Sequence, residues 1–317
     1  MALAERNNVP LEHNSVEEIH AAYKFNDLGD FLKLYYQGME VLIQEQDFFD
    51  LTWTYLERVH TNDNVRHVEL FFDPQPHLHR GVAFDVVVNG IHRACVQAKT
   101  QFDMSSKLLM CFVRHMPIDD AFRTLELACQ HKDKISGVGL DSTEQGNHPE
   151  KYVELFDAAR AHGFHTVAHA GEEGPADYVR GAVELLKVQR VDHGVRCYED
   201  PEVVQLLKRE KIPLTMCPIS NICLCIFPKM ADHNIKKLLD LGVCVTINSD
   251  DPAYFGGYIT DNYQALADEP TMKLTQADVI HFAQNGIDAS FLDDAGKTKL
   301  TNELNDYVKQ NSLAPME

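Results

Sequence analysis

Two short segments of this chain place ionisable residues directly after an apolar, β-branched run. The first, VAHAGEEG, carries His169 three residues before Glu172. The second, NSDDPAYFGGY, carries Asp250 directly before Asp251. Imidazole and carboxylate groups are ligands that zinc takes in catalytic sites, and a carboxylate that does not bind metal can transfer a proton or recognise a ligand. Each segment therefore predicts one metal ligand and one further carboxylate for chemistry.

A third strand end, Asp192-His193-Gly194, adds a second imidazole. Burial of either ionisable group costs several kcal/mol unless it is paired, so a structural hydrogen bond between Asp192 and His193 is one interpretation. The other is functional, because an imidazole with a pKa of about 6.5 suits a base or an electrostatic partner for a metal-bound water. His169 leaves a similar choice, between a hydrogen-bonded histidine at a strand end and a metal ligand.

The two adjacent aspartates cannot share one role while their strand stays regular, since neighbouring strand residues point to opposite faces. Pro252 stops the strand and lets the loop redirect Asp251. Two adjacent buried carboxylates repel each other unless a cation or a hydrogen-bond donor compensates. A surface Asp-Asp-Pro turn is the alternative, and the apolar run VTI ahead of Asp250 disfavours it.

Short apolar runs alternate with amphipathic segments, which predicts parallel strands covered by helices on both faces. The predicted strands are His67–Phe72, Lys107–Val113, Ile135–Asp141, His165–Ala170, Arg190–Val195, Ile212–Cys217 and Cys244–Ser249. The predicted helices include residues 84–101, 118–131, 149–163, 176–188, 201–210, 233–242 and 275–310. This alternation predicts an α/β fold, and ionisable residues at many strand ends favour a (β/α)8 TIM-type barrel. The chain opens on a helical segment, so we expect a single-domain barrel (residues 1–317) that lacks its first strand.

The composition restricts the classes of function. The chain has 317 residues and a formal net charge of -19 at pH 7, which argues against nucleic acid as a ligand because phosphate binding needs clustered Lys and Arg. No stretch approaches the ~20 apolar residues of a membrane span, and the N-terminus lacks the pattern of a secretory signal. The eight cysteines are scattered, several of them in apolar runs. We therefore expect reduced thiols in a cytoplasmic protein. The nucleus is a separate, additional expectation for its location.

Taken together, these segments resemble the adenosine/adenine deaminase family of metal-dependent barrel enzymes. The resemblance covers nearly the whole chain from Leu3 onward. Its best-matched pieces are Val167–Gly174, Val191–Gly194, Cys217-Pro218-Ile219-Ser220-Asn221 and Ser249–Tyr258. Within the family the chain looks closest to adenine deaminases of fungal type, which it resembles at FFDPQ (71–75), GLDSTE (139–144) and FGGY (255–258).

The resemblance implies a zinc-dependent enzyme of purine salvage that converts adenine to hypoxanthine and ammonia. His169 and Asp250 would be zinc ligands. Glu172 would protonate purine N1 and make C6 a better electrophile, while His193 would orient the zinc-bound water and take its proton. Asp251 would form a hydrogen bond with purine N7. An adenosine deaminase is the alternative enzyme, and a purine-binding pseudoenzyme is the alternative of a different class.

The GLDSTE segment supplies the remaining predicted substrate-binding residues, Gly139, Asp141 and Glu144. We hypothesise that Glu144 accepts a proton from N9–H of free adenine, which would explain a preference for the base over the nucleoside. The expected partner is thus a small-molecule purine base, with no nucleic-acid or membrane partner and with a homo-oligomer left open.

The family takes its two other zinc ligands from a His-x-His motif at the end of its first strand, just before the segment that matches Leu3. This chain has no such motif there, and two ligands alone are fewer than the three that catalytic zinc sites usually keep. We therefore expect an N-terminally incomplete form of the enzyme, with a genuinely shortened form as the alternative. His77-Leu78-His79 falls in a predicted loop and is a poor substitute pair.

Overall fold

The computed structural model describes residues 1–313 and divides the chain into two compact units. The first unit comprises Met1–Thr143 and Cys223–Cys225, and the second comprises Glu144–Ile222 and the described residues from Ile226 onward. Both units alternate strands with helices and pair neighbouring strands in parallel, as expected of an α/β protein. The expectation of a single domain stays a prediction.

In the first unit, four helices precede the first strand. Its elements are α1 (Ala2–Asn7), α2 (Val16–Ala22), α3 (Leu28–Met39), α4 (Glu45–Asp63), β1 (His67–Phe72), α5 (Pro74–His79), α6 (Phe84–Phe102), β2 (Ser105–Val113), α7 (Ile118–Cys129) and β3 (Ile135–Asp141). The long helices α4 and α6 approach each other closely at Gly90. A Cβ atom at this position would lie 2.4 Å from the carbonyl oxygen of Glu45 and 2.7 Å from Cβ of Phe48. The absence of a side chain at Gly90 therefore permits this helix packing.

The N-terminal helix α1 is tied to α4 by one buried carboxylate. Asp47 accepts hydrogen bonds from Nη1 of Arg6 at 2.8 Å and from Nδ2 of Asn7 at 2.6 Å. It also accepts from the backbone N–H groups of Ile43 at 3.1 Å and Gln44 at 2.8 Å. These donors satisfy an acceptor that would be costly to bury alone, and they fix the start of α4.

Strands β1, β2 and β3 pair in chain order. The middle strand is fully buried over Leu108–Val113, which accounts for its continuous apolar sequence. The register sets Cys111 of β2 opposite Gly139 of β3. Asp73 directly follows β1 and Asp141 ends β3, so the strand register brings both carboxyl groups to one edge of this part of the sheet.

The second unit contains the remaining strands and α-helices, apart from Cys223, the last residue of α11, which belongs to the first unit. Its elements are α8 (Val153–Ala161), β4 (His165–Ala170), α9 (Ala176–Glu184), β5 (Arg190–His193), α10 (Pro201–Glu210), β6 (Leu214–Met216), α11 (Pro218–Cys223), α12 (Ile235–Asp240), β7 (Val245–Ile247), α13 (Pro252–Phe255), α14 (Ile259–Asp268), α15 (Gln276–Ala289) and α16 (Asp294–Gln310). Strands β4 to β7 also pair in chain order. Their carboxyl ends therefore meet at one edge.

The described residues contain seven strands, the number predicted, and β1, β3 and β4 have the predicted bounds. Strands β5, β6 and β7 end earlier than predicted, because the chain turns out of the ladder at Gly194, at Pro218 and after Ile247. The predicted loop around His77 is wrong: Pro74 begins helix α5, in the position that proline favours. The helix predicted from residue 275 to residue 310 is two helices, α15 and α16.

Two further sequence expectations concern cysteines and membranes. None of the eight cysteines, all of which lie within the described residues, forms a disulfide. No helix in residues 1–313 has the length and apolar character that crossing a membrane requires.

Candidate active site

The carboxyl ends of β4, β5 and β7 bring three of the predicted catalytic and metal-binding residues together in the second unit. His193, the last residue of β5, is at the centre of the group. Its Nδ1 lies 3.5 Å from Oε1 of Glu172, and its Nε2 lies 3.8 Å from Oδ2 of Asp250. Glu172 and His193 are buried, and Asp250 is half-buried. The strand ends thus gather an imidazole and two carboxyl groups around one centre.

His169 lies next to this group, with its ring centroid 5.0 Å from that of His193. Its Nδ1 lies 3.7 Å from Oδ2 of Asp192, and Oδ1 of the same aspartate accepts a hydrogen bond from Thr215 Oγ1 at 2.8 Å. Asp192 therefore faces His169 across the strand pair, in the position of a carboxylate that orients a neighbouring imidazole. The alternative of a structural hydrogen bond between Asp192 and His193 stays a prediction.

His193 and Asp250 both have left-handed backbone conformations, with φ of 60° and 55°. Non-glycine residues rarely adopt these angles, and such strain concentrates at functional sites. Asp250 is further fixed by Ser220, whose Oγ donates a hydrogen bond of 2.6 Å to Oδ2. Asp251 has left this conformation (φ -92°) and precedes Pro252, the first residue of α13. The two adjacent aspartates are thus separated by the turn that Pro252 was expected to permit.

Burial and neighbouring charges shift two pKa values in the group. Burial raises the pKa of Glu172 from 4.5 to about 8; His193 opposes this rise, and the carboxylates of Asp250 and Glu144 add to it. Burial alone would lower the pKa of His193, but the nearby carboxylates of Glu172 and Asp250 outweigh burial and raise it. Glu172 is therefore a carboxyl group that retains its proton at neutral pH.

Glu144 supports the loop that carries Glu172. Its side chain is buried, and its oxygens accept hydrogen bonds from the backbone N–H groups of Gly171 at 2.9 Å, Glu172 at 2.8 Å and Glu173 at 3.2 Å. Gly174 completes the loop, since a Cβ atom there would lie 2.4 Å from Oε2 of Glu144. The carboxylate of Glu144 thus fixes the backbone of the loop that carries Glu172.

A model of the adenosine deaminase family matches residues 1–307. The chain belongs to the adenosine deaminase family. Among its relatives, the adenine deaminase of Cupriavidus necator is 50% identical over 313 residues, which are 99% of this chain and 88% of the relative. The adenine deaminase of Crocosphaera subtropica is 51% identical over 298 residues, which are 94% of this chain and 90% of the relative.

Solved structures agree with this assignment. The crystal structure of an adenine deaminase from Arthrobacter aurescens is 44% identical, with a TM-score of 0.94 over 97% of this chain and 93% of that protein. A cog1816 amidohydrolase from Burkhoderia ambifaria, determined with bound Zn, is 27% identical, with a TM-score of 0.88 over 98% of this chain and 86% of that protein. The predicted class of fold, an α/β barrel of the TIM type, is confirmed, as is the prediction of a hydrolytic deaminase.

Members of the adenosine deaminase family depend on a metal, and the second unit contains donors that suit one. Within residues 1–313, ligand atoms of His193, Cys217 and Asp250 all lie within 4.8 Å of one another. Sulfur and carboxylate oxygen are donors that zinc accepts, so Cys217 and Asp250 fit a divalent cation, with His193 beside them. Sequence reasoning missed Cys217, although it directly follows β6 and shares the strand-end position of His193.

The predicted substrate-binding residues Gly139 and Asp141 lie in the first unit. Asp141 forms a buried group with Asp73 and Cys111, whose ligand atoms also lie within 4.8 Å of one another. Burial is the main cause that raises the pKa values of both Asp73 and Asp141, and the charge of Asp73 raises that of Asp141 further. Two carboxyl groups this close favour a shared proton.

His77 and His79, the considered substitute for the His-x-His pair, are engaged elsewhere in the first unit. Nδ1 of His77 accepts a hydrogen bond of 2.7 Å from Nη2 of Arg80, while Nε2 of His79 lies 2.8 Å from Oδ2 of Asp120. Burial lowers the pKa of His77 to about 4, with Arg80 contributing. The two imidazoles therefore have separate structural partners.

Proposed function

We propose that this chain is an adenine deaminase, which hydrolyses adenine to hypoxanthine and ammonia. The observation that carries the proposal is that Glu172 and Asp250 flank His193 at the strand ends of a chain about half identical to adenine deaminases. We further propose a role in purine salvage in the cytoplasm or nucleus, with a free purine base as the ligand. We also propose that the chain can form a homo-oligomer.

The metal we propose is zinc, held by His169 and Asp250, with Cys217 at the same centre. A divalent cation in such a site would act as a Lewis acid and would lower the pKa of a bound water to about 7. Ser220 supports this assignment because its hydroxyl occupies one lone pair of Asp250 Oδ2 and so restricts the carboxylate's orientation. Asp192 Oδ2, 3.7 Å from Nδ1 of His169, favours a proton on that nitrogen and so leaves Nε2 of His169 available to a metal.

Glu172 is the proposed proton donor to the purine ring. With a pKa of about 8, its carboxyl group is protonated at neutral pH and can donate to ring nitrogen N1. Protonation withdraws electrons from C6, the carbon that water attacks. The oxygen of water then remains on C6 as the carbonyl oxygen, and N1 keeps the proton from Glu172. One proton of water goes to the exocyclic amino group, which leaves as ammonia, and the other restores the proton of Glu172. Burial of Glu172 thus supplies an acid of suitable strength where an ordinary carboxyl group would be ionised.

His193 and Asp251 position the reactants in this proposal. His193 lies between Glu172 and Asp250, so its imidazole can orient a water near both groups. Asp251 lies beyond the turn at Asp250 and is assigned to purine N7. In the first unit, Gly139 and Asp141 are assigned to substrate binding.

Turnover by the purified, Zn²⁺-supplemented chain tests the proposal. We expect kcat/KM for adenine to exceed that for adenosine, and we expect Glu172→Gln to lose most of this activity. Glu154→Gln, which changes an exposed glutamate on α8, is the matched control and should retain it. Faster turnover of adenosine than of adenine would identify the chain as an adenosine deaminase instead. Stoichiometric zinc and purine binding without turnover of either compound would support the pseudoenzyme.

A further inference from the structure

Behind His193 lies a chain of buried polar groups that reaches a backbone amide. The N–H group of Ile235 donates to Nδ1 of His233 at 3.2 Å, and Nε2 of His233 lies 3.1 Å from Oδ1 of Asn221. Nδ2 of Asn221 then lies 3.3 Å from Nδ1 of His193. His193, Asn221 and His233 are each at most 2% exposed. Water therefore has little access to compete for these hydrogen bonds.

The direction of every hydrogen bond in this chain is set from its backbone end. The N–H group of Ile235 can only donate, so Nδ1 of His233 must be an acceptor. A neutral imidazole then carries its proton on Nε2 and donates to the amide oxygen of Asn221. The other end of that amide is an NH₂ group, which donates to Nδ1 of His193. Burial lowers the pKa of His233 to about 3, in keeping with its neutral form.

We propose that Asn221 and His233 are positioning residues that hold neutral His193 in the tautomer with its proton on Nε2. This nitrogen faces Asp250, at 3.8 Å from Oδ2. The inference rests on the proposed function and deepens it. His193 then orients the attacking water by donating a hydrogen bond to its oxygen, and in this tautomer it has no acceptor nitrogen on that side. The earlier expectation that His193 takes the water's proton would require the opposite tautomer.

One group competes with Asn221 for Nδ1 of His193. Oε1 of Glu172 lies 3.5 Å from this nitrogen, slightly farther than the 3.3 Å to Nδ2 of Asn221. The carboxylates that raise the pKa of His193 favour protons on both of its nitrogens, whereas the Asn221 amide donates to Nδ1 and favours a neutral ring with its proton on Nε2. The first state has a proton on Nδ1 and the second does not, so a measurement of Nδ1 protonation separates them.

The test is a long-range ¹H–¹⁵N correlation spectrum of the full chain with ¹⁵N-labelled histidines, recorded at neutral pH with and without Zn²⁺. The signals of His193 are assigned by their loss in His193→Gln. We expect an unprotonated shift for Nδ1 and a protonated shift for Nε2. Asn221→Asp replaces the donating NH₂ with an acceptor oxygen and should move the proton to Nδ1. A protonated Nδ1 in the unaltered chain overturns the proposal.

The matched control is Asn285→Asp. Asn285 is also buried, and its Nδ2 donates to the carbonyl oxygen of Val245 at 2.9 Å, so this variant loses an equivalent buried donor. It should leave the His193 tautomer unchanged. For adenine turnover, Asn221→Asp should reduce kcat about 10²- to 10⁴-fold with a smaller change in KM, as expected when a histidine is held in the wrong tautomer. An Asn221→Asp tautomer identical to that of the unaltered chain would also refute the proposal.

The spectrum separates this inference from the proposed function. It reports the tautomer whether or not the chain turns over adenine. If the chain is inactive and its His193 carries the proton on Nε2, the positioning role is supported and the proposed activity is contradicted. If the chain is active and Nδ1 of His193 is protonated, the activity is supported and the positioning role is contradicted. Because the unaltered chain alone gives a decisive spectrum, failure of a variant to fold does not prevent the test.

Discussion

Replacement of Glu144 by glutamine tests how the loop that carries Glu172 is held. The glutamate accepts three backbone hydrogen bonds, from Gly171, Glu172 and Glu173. Glutamine is nearly the same size but has only one acceptor oxygen. Its NH₂ group would face at least one backbone N–H group, so one hydrogen bond is lost and replaced by a contact between two donors.

The size of the effect follows from these three hydrogen bonds. A hydrogen bond to a charged group contributes about 1.5–3 kcal/mol and a neutral one about 0.5–1.5 kcal/mol. Two weakened bonds at about 1 kcal/mol each and one lost bond of about 1.5–3 kcal/mol give a total of about 3.5–5 kcal/mol. Part of this loss lowers the free energy of unfolding, and the rest permits displacement of the loop. A misplacement of about 1 Å can reduce a catalytic rate about 10²-fold.

The assay is steady-state turnover of adenine and adenosine by Glu144→Gln, with Glu154→Gln as the exposed control. We expect kcat to fall about 10- to 100-fold for both substrates by a common factor, because the Glu144 oxygens face the protein backbone. Gly174→Ala should act in the same direction, since its Cβ atom would displace Oε2 of Glu144. A change confined to the ratio of adenine to adenosine turnover would instead support recognition of N9–H by Glu144. Unchanged kcat for both substrates would refute the loop argument.

Three shorter predictions concern pH and metal. The kcat/KM for adenine should fall as the pH rises through about 8, because Glu172 then loses the proton it donates; a pH–rate profile without this limb would count against Glu172 as the acid. The free energy of unfolding should fall as the pH drops from about 6.5 towards 4, because the unfolded chain protonates the imidazole of His77 while the fold keeps it neutral. Urea titrations of His77→Gln, in which that contribution is absent, should show a smaller slope over this range. Asp250→Asn should reduce the zinc content measured by elemental analysis, and Ser220→Ala should reduce it less; full zinc occupancy in Asp250→Asn would exclude Asp250 as a ligand.

The sequence was sufficient to predict the fold class and the strand ends that carry chemistry. Parallel strands align their carboxyl ends, so an ionisable residue at the end of each apolar run is enough to place His193 near Asp250. Glu172 follows β4 after a turn at Gly171, so the alignment of the strand ends also predicts its position near His193. These predictions depend on local patterns and one general rule of topology, which explains why they succeed from a single chain.

The groups that support the site were less predictable. Glu144 lies 27 residues before Gly171 in the chain, and His233 lies 12 residues after Asn221. No sequence periodicity connects residues this far apart in the chain, because their contacts depend on how the whole unit packs. Cys217 is different: it stands at a strand end and could have been found by applying the same rule to cysteine.

The premature ends of β5 and β7 connect the errors in the strand prediction to the chemistry. The apolar pattern continues past His193 to Val195, yet the strand ends at His193 with φ of 60°. Asp250 has φ of 55° three residues after β7 ends. A regular strand would alternate side chains between its faces, whereas these turns direct an imidazole and a carboxylate to a common centre. The apolar pattern therefore fails to predict the strand ends where the chain adopts a strained backbone conformation. The proposed site lies at these same positions.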